Sequence, residues 1–121
     1  MSDAPQKRVL VIFPGALGDF ICFLPALGAL GEDARVDLLA RSEFADLAPA
    51  AVNVASLERY EIRRLFVAGA QGEERVRDFF ASYAAVYSWM GSQASVFVRQ
   101  LKSASQGRAR VFPFRPRDQK M

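Results

Sequence analysis

The sequence predicts an α/β domain in which a parallel β-sheet carries helices on both faces. One reason is that its best strand candidate, Lys-Arg-Val-Leu-Val-Ile-Phe (7 to 13), is continuously apolar and β-branched rather than alternating. That is the pattern of a strand buried on both faces. A second is that segments of helical period follow such runs after short turns, the order that a parallel sheet requires. Size agrees: 121 residues suit one domain and leave no room for two. Apolar residues make up 51% and charged residues 24%, which excludes a disordered or low-complexity chain.

The elements follow in order. After the first strand, Pro14-Gly15 breaks the run, and Gly15-Ala-Leu-Gly-Asp19 forms a turn with Asp19 as a candidate N-cap. Phe20, Phe23, Leu24 and Leu27 then recur at helical spacing, predicting a helix over 20–30, bent near Pro25 and capped by Gly31. Arg35 to Ala40 reads as a second strand, Glu43 to Ala48 as a short helix ended by Pro49, and Val52 to Leu57 as a third strand. A helix over Tyr60 to Phe66, a break at Gly69 and Gly72, and a helix over Glu73 to Tyr83 with Val76, Phe79 and Phe80 on one face come next. Ala84 to Trp89 is a buried strand, Gly91-Ser92 turns the chain into a helix over 93–101, and Arg110 to Phe114 is a fifth strand. The expected division is a flexible tail over 1–6, the domain over 7–114 and a basic tail or interdomain linker over 115–121.

Composition removes several chemistries. Histidine is absent, which excludes His-based triads, imidazole zinc sites and the usual pH switch. Cys22 is the single cysteine, cannot form an internal disulfide, and reads as a small core residue of its helix. Folding a chain of this size hides roughly two thirds of its unfolded surface, so no staple is needed. Charge is uneven: residues 1–50 hold 4 basic and 7 acidic side chains, 51–97 hold 5 and 5, and 98–121 hold 7 and 1. The basic end is either a solvated terminus or a footprint for phosphate, nucleic acid or an anionic membrane. Nucleic acid ranks last, because no recognised module's aromatics interleave with it. Lys7-Arg8 before an apolar run imitates a signal peptide, but Pro14, Gly15, Gly18 and Asp19 interrupt it, and the next apolar stretch is far short of the ~20 residues of a membrane span. The expected location is cytoplasmic.

Ligands of parallel sheets sit at the carboxyl ends of the strands. That rule points to the loops at 14–19, 40–43, 57–64 and 89–93. The sharpest is Pro14-Gly-Ala-Leu-Gly-Asp19, where glycines let a ligand approach the backbone and a helix start offers free N–H groups. It matches neither Gly-x-Gly-x-x-Gly nor a P-loop, and it carries a carboxylate. From the residues alone Asp19 reads as a helix cap at the strand's ligand-binding end.

Arg8-Val-Leu-Val-Ile, Gly15-Ala-Leu-Gly-Asp-Phe, Leu24-Pro-Ala-Leu and Arg35-Val-Asp-Leu-Leu-Ala-Arg-Ser-Glu-Phe44 together resemble glycosyltransferase family 9, the ADP-heptose:lipopolysaccharide heptosyltransferase-like proteins. Beyond residue 50 the likeness rests on Arg63-Arg64 and Ser88-Trp-Met-Gly-Ser92, and Ser88 stands where many members have an acidic residue. The resemblance implies a Rossmann-like domain, the N-terminal half of a GT-B glycosyltransferase. This is the acceptor side of an inverting, metal-independent enzyme that uses a nucleotide sugar such as ADP-heptose as co-substrate and has no cofactor. It implies Asp19 as the base that deprotonates an acceptor hydroxyl, and Arg63 and Arg64 as a grip on an anionic glycan or glycolipid acceptor. The nucleotide-sugar-binding C-terminal domain is missing from this chain, so the resemblance further implies a truncated, fragmentary or split protein that is inactive alone. Lipopolysaccharide or another cell-surface glycan is the implied product, with peripheral contact at an anionic inner membrane.

The expected acceptor-binding residues are thus Gly15, Gly18, Arg63, Arg64, Gly91 and Ser92, with Asp19 catalytic and no metal ligand. Arg59, Arg63 and Arg64 also have Glu58 and Glu61 near enough to pair with on a solvated face. Ser92 can cap the helix that follows it, and Trp89 is either a core aromatic or a stacking surface. The alternative function is a stand-alone Rossmann-like module that binds a phosphate or nucleotide, or a partner, without catalysis.

Overall fold

A computed structural model of the chain describes residues 7–49, 52–67, 69 and 73–113. The tails at 1–6 and 115–121, Gly72 and the end of the fifth strand at Phe114 lie outside the described residues. The described chain runs β1 (Lys7–Ile12), α1 (Leu17–Asp33), β2 (Ala34–Ala40), a 3-10 turn (Ser42–Leu47), β3 (Val52–Ser56), α2 (Tyr60–Arg64), α3 (Glu74–Ala81), β4 (Ala85–Ser88), α4 (Ser95–Ala104) and β5 (Ala109–Val111). All strand pairings are parallel, in the order β3-β2-β1-β4-β5. The expected α/β architecture is therefore the observed one.

β1 occupies the centre because its side chains have no polar face to show. Leu10, Val11 and Ile12 are fully buried, and alternate residues feed two cores. Leu10 and Ile12 join Leu39 and Val86 beneath Ile62, Val76, Phe80, Phe97 and Leu101 of the three later helices. Val9 and Val11 join Val36 and Leu38 beneath Phe20 and Leu27 of α1 and Phe44 of the 3-10 turn. Helices thus cover both faces, as a parallel sheet demands.

Several boundaries differ from the sequence expectation, each for a local reason. α1 starts three residues earlier than Phe20, with Ala16 at the N-cap, so Asp19 is a first-turn residue and not the cap. It also continues past Gly31 to Asp33, ending where Ala34 enters β2 against β1. Pro25 lies inside this unbroken helix, where its ring costs the single bond to the Ile21 carbonyl. The segment at 43–48 is the 3-10 turn Ser42–Leu47, and Cys22 faces outward on α1 rather than into the core.

Polar side chains tie the elements together away from the strands' carboxyl ends. Asp37 of β2 accepts hydrogen bonds from the Tyr83 hydroxyl (2.7 Å), Arg8 (3.0 Å) and Asn53 (3.2 Å), joining β1, β2, β3 and the approach to β4. Burial pushes the Asp37 carboxyl up, but the bonds from Tyr83, Arg8 and Asn53 outweigh it and hold the group below its ordinary value. The Tyr83 phenol is pushed well up by burial and by Asp37, so it remains a donor. On α2, buried Glu61 accepts from Arg59 and Arg75, each at 3.1 Å, while Glu73 accepts from Arg64 and from the Tyr60 hydroxyl. These bonds clamp α2 to α3.

The Asp37 cluster gives a pH-dependent prediction. A carboxylate whose folded pKa is depressed contributes stability that is complete above its unfolded value, about 4, and that is lost as pH falls through the folded value. Tyr83→Phe should destabilise the domain by about 1.5–3 kcal/mol at neutral pH, the cost of one hydrogen bond to a half-buried charge. Urea titrations should find that difference narrowing as pH falls below the ordinary carboxylate value of about 4 towards the lowered value of Asp37. A gap unchanged across that range would reduce Tyr83 to packing alone.

Candidate functional site

The strand order contains one reversal. From β1 the chain proceeds to β2 and β3 on one side, then crosses back to place β4 against the other edge of β1. Loops leaving the carboxyl ends of β1 and β4 therefore diverge, α1 to one face and α4 to the other, and open a crevice between them. A hollow of about 390 Å³ lies there, lined by Pro14, Trp89, Met90, Gly91, Ser92, Gln93 and Ala94. A second, more polar hollow of about 280 Å³ lies between the ends of β2 and β3, lined by Ala40, Arg41, Ser42, Glu43, Ser56, Leu57 and Glu58. Both fall in loops singled out from the sequence.

The crevice walls are held from beneath. The Trp89 N–H donates to the Ile12 carbonyl (2.9 Å) and the Phe112 N–H to the Ser88 carbonyl (2.7 Å), extending the ladder past the strand ends. Fully buried Ser88 folds the turn: its hydroxyl donates to the Met90 carbonyl (2.9 Å) and accepts from the Met90 N–H (3.1 Å). Gly91 follows at φ +81°, and a Cβ there would fall 2.3 Å from the Phe97 ring. No other residue type fits both the dihedral and the space. Behind the wall, Trp89 stacks on Phe112 (4.8 Å between centroids) and meets Phe23 edge-on (4.9 Å), which in turn stacks on Phe13 (4.5 Å).

Gly15 and Asp19 are brought together one residue beyond Pro14. Gly15 is buried, and a Cβ on it would lie 2.6 Å from the Phe13 ring and 2.9 Å from the Asp19 Cβ. The absence of a side chain at Gly15 thus lets Asp19, half-buried in the first turn of α1, sit against the end of β1. Its carboxylate is also favourably placed against the partial positive charge of the helix start. Gly18 is exposed with open space around it. Ser92 lines the hollow but does not cap α4, whose N-cap is Ala94 with no side-chain hydrogen bond.

Arg63 and Arg64 are not part of this constellation. They sit on α2, beyond edge strand β3, and line neither hollow. Arg64 is engaged by Glu73, and Arg59 by Glu61 with its guanidinium 4.6 Å over Phe79. Of the expected pairings with Glu58 and Glu61, only Arg59 with Glu61 forms. Arg63 is exposed and makes no ion pair among the described residues. No group of His, Cys, Asp and Glu among the described residues could hold a metal ion.

Sequence reasoning missed Ser88 as the fixing point of the turn, and Pro14 and Met90 as walls. Only their positions at strand ends could have signalled them. It also passed over Arg41, Ser42, Ser56 and Glu58 in the second hollow, which sit at the ends of β2 and β3 for the same reason.

Gly91→Ala and Gly107→Ala form a matched test, since both glycines have φ near +80° but only Gly91 meets a neighbour. Gly107→Ala should cost about 1–2 kcal/mol for the left-handed backbone. Gly91→Ala should cost about 2–5 kcal/mol, because overpacking against Phe97 adds to that. Equal losses in thermal denaturation would show that the Phe97 contact yields at no cost.

No family model, no curated protein and no solved structure matches the chain.

Proposed function

We propose that this domain is the acceptor-binding, N-terminal side of an inverting, metal-independent glycosyltransferase of the family 9, heptosyltransferase-like type. The observation that carries the reading is the seating of Asp19 against Gly15 at the end of the central strand, in the loop that begins at crevice-lining Pro14. A sugar hydroxyl is a poor nucleophile until its proton begins to leave, and a positioned carboxylate supplies the acceptor for that proton. In the proposed step the acceptor oxygen forms a bond to the anomeric carbon of the nucleotide sugar. The bond from that carbon to the diphosphate breaks, the hydroxyl proton passes to an Asp19 carboxylate oxygen, and configuration inverts. Gly91 and Ser92 form the β4 side of the crevice, while Gly15 gives Asp19 room at the end of β1 and exposed Gly18 lines neither hollow. Arg63, with no ion pair among the described residues, is better placed than Glu73-bound Arg64 to attract an anionic part of the acceptor.

The nucleotide sugar, ADP-heptose in the closest reading, would come from a second domain, and the product would be lipopolysaccharide or a related surface glycan. The proposed setting is the cytoplasmic side of the inner membrane. No helix among the described residues is long and apolar enough to cross a membrane. Peripheral attachment has support in charge: from Ala85 to Pro113 the chain carries Arg99, Lys102, Arg108 and Arg110 and no acidic residue. The alternative, a stand-alone phosphate- or nucleotide-binding module, draws on the absence of side-chain caps at the starts of α1 and α4. The Asp19 carboxylate in the first turn of α1 counts against it.

Two substitutions at Asp19 test the assignment. Asp19→Asn should leave the fold within about 1 kcal/mol of the parent, because only the charge near the helix start is lost. With a donor-binding domain supplied in cis or in trans, transfer should fall by roughly 10² to 10⁴, since an amide cannot take the hydroxyl proton. Asp19→Ala should fall as far. The isolated chain should transfer nothing. Near-native turnover by Asp19→Asn would make Asp19 a structural residue and remove it from the chemistry. Arg63→Gln should weaken binding of a phosphorylated acceptor by an amount that shrinks as salt rises, read by calorimetry. An unchanged affinity would leave Arg63 a surface charge.

A further inference from the structure

Parallel sheets of this order commonly hold a phosphate at the reversal, cradled by helix N–H groups. Here the hollow at the reversal contains no charged side chain: its lining is Pro14, Trp89, Met90, Gly91, Ser92, Gln93 and Ala94. The β1 loop that supplies Pro14 leads on to Gly15 and the Asp19 carboxylate, a negative charge that disfavours an anion. The cations of the carboxyl edge lie elsewhere, Arg41 in the β2–β3 hollow and Arg63 on α2. The walls are largely apolar, with the Ser92 hydroxyl and the Gln93 amide as the polar side chains. They are also preset, because Ser88 fixes Met90 while Phe112 and Phe23 hold the indole of Trp89. A ligand therefore pays little ordering cost there.

We propose that this hollow takes a neutral, hydroxylated ring, a pyranose, with its C–H face on the wall of Pro14, Trp89 and Met90, and that Trp89 selects it over phosphate-bearing ligands. A sugar ring suits both halves of the lining, having an apolar face for the indole and hydroxyls for Ser92 and Gln93. The volume of about 390 Å³ lies within the small-ligand range. This rests on the acceptor-side reading above and deepens it: the ring that enters the crevice is uncharged, and any anionic part of the acceptor lies outside it.

Trp89 is the only tryptophan in the chain, so its fluorescence reports on the hollow directly. The full chain is titrated with methyl glycosides of neutral aldohexoses, with neutral di- and trisaccharides, with inorganic phosphate and with ADP. The neutral sugars should change the emission saturably and without dependence on salt, whereas phosphate and ADP should leave it unchanged. By calorimetry, Trp89→Leu should weaken binding of the best sugar about tenfold and Trp89→Phe by less, since an aromatic wall remains. Thermal denaturation shows whether each variant is folded, and if Trp89→Leu is not, Trp89→Phe alone must weaken binding measurably. A saturable response to phosphate or ADP that fades with salt overturns the proposal, as does silence toward every sugar. If the sugars are silent while Asp19→Asn still abolishes transfer, the ring site is wrong and the catalytic reading stands. If the sugars bind and Asp19→Asn turns over normally, the converse holds.

Discussion

The burial of β1 on both faces and its pairing on both edges is the constraint on which the rest of the molecule depends. A six-residue strand with Leu10, Val11 and Ile12 wholly inside leaves no orientation in which either face meets water. Helices must then lie on both sides, and the chain can supply them only by returning across the sheet after β3. That return produces the reversal between β1 and β4, and the reversal opens the crevice. The site's location is thus a consequence of how the central strand is covered.

The same constraint decides which parts of the fold were legible in the sequence. β1 could be read because double burial demands a continuous apolar run, a signal that needs no tertiary information; β2, interrupted by Arg35 and Asp37, and β4, ending in Ser88, carry it less fully. The start of α1 could not: Asp19 is a better cap than Ala16 by side-chain chemistry. The helix nevertheless begins at Leu17, because Phe20 and Leu27 must reach Val9 and Val11. Tertiary packing overrides local capping there. The misplacement of Cys22 has the same origin. α1 is apolar nearly all round, with exposed Leu17 and Ile21, so its inward face cannot be picked out from periodicity.

For the candidate site, legibility stopped at position. The strand-end rule named the loops that line both hollows, but it gave no information about what fixes them. Ser88 acts through two hydrogen bonds to a residue two positions on, and Phe97 acts on Gly91 across a turn. Neither relation leaves a periodic trace. The arginines of α2 illustrate the opposite error. A run of like residues suggests a shared task, yet Arg59 pairs locally with Glu61 while Arg64 is drawn to Glu73 at the start of α3, and among the described residues Arg63 has no ion pair.

The crevice and the core are also mechanically one object. Phe44 stacks on Phe20, Phe20 meets Phe13, Phe13 stacks on Phe23, Phe23 meets Trp89, and Trp89 stacks on Phe112. This chain of rings runs from the 3-10 turn, across α1 and the end of β1, to the end of β5. Because close-packed rings resist independent movement, the indole wall and the Gly15–Asp19 corner are held by one continuous layer: Phe13 touches the corner and, through Phe23, supports the wall. Hence the Gly15–Asp19 corner and the apolar wall share one packed support and not loop conformation alone. Under the proposed reading of Asp19 as a base, such a frame would hold proton acceptor and bound ring in fixed register.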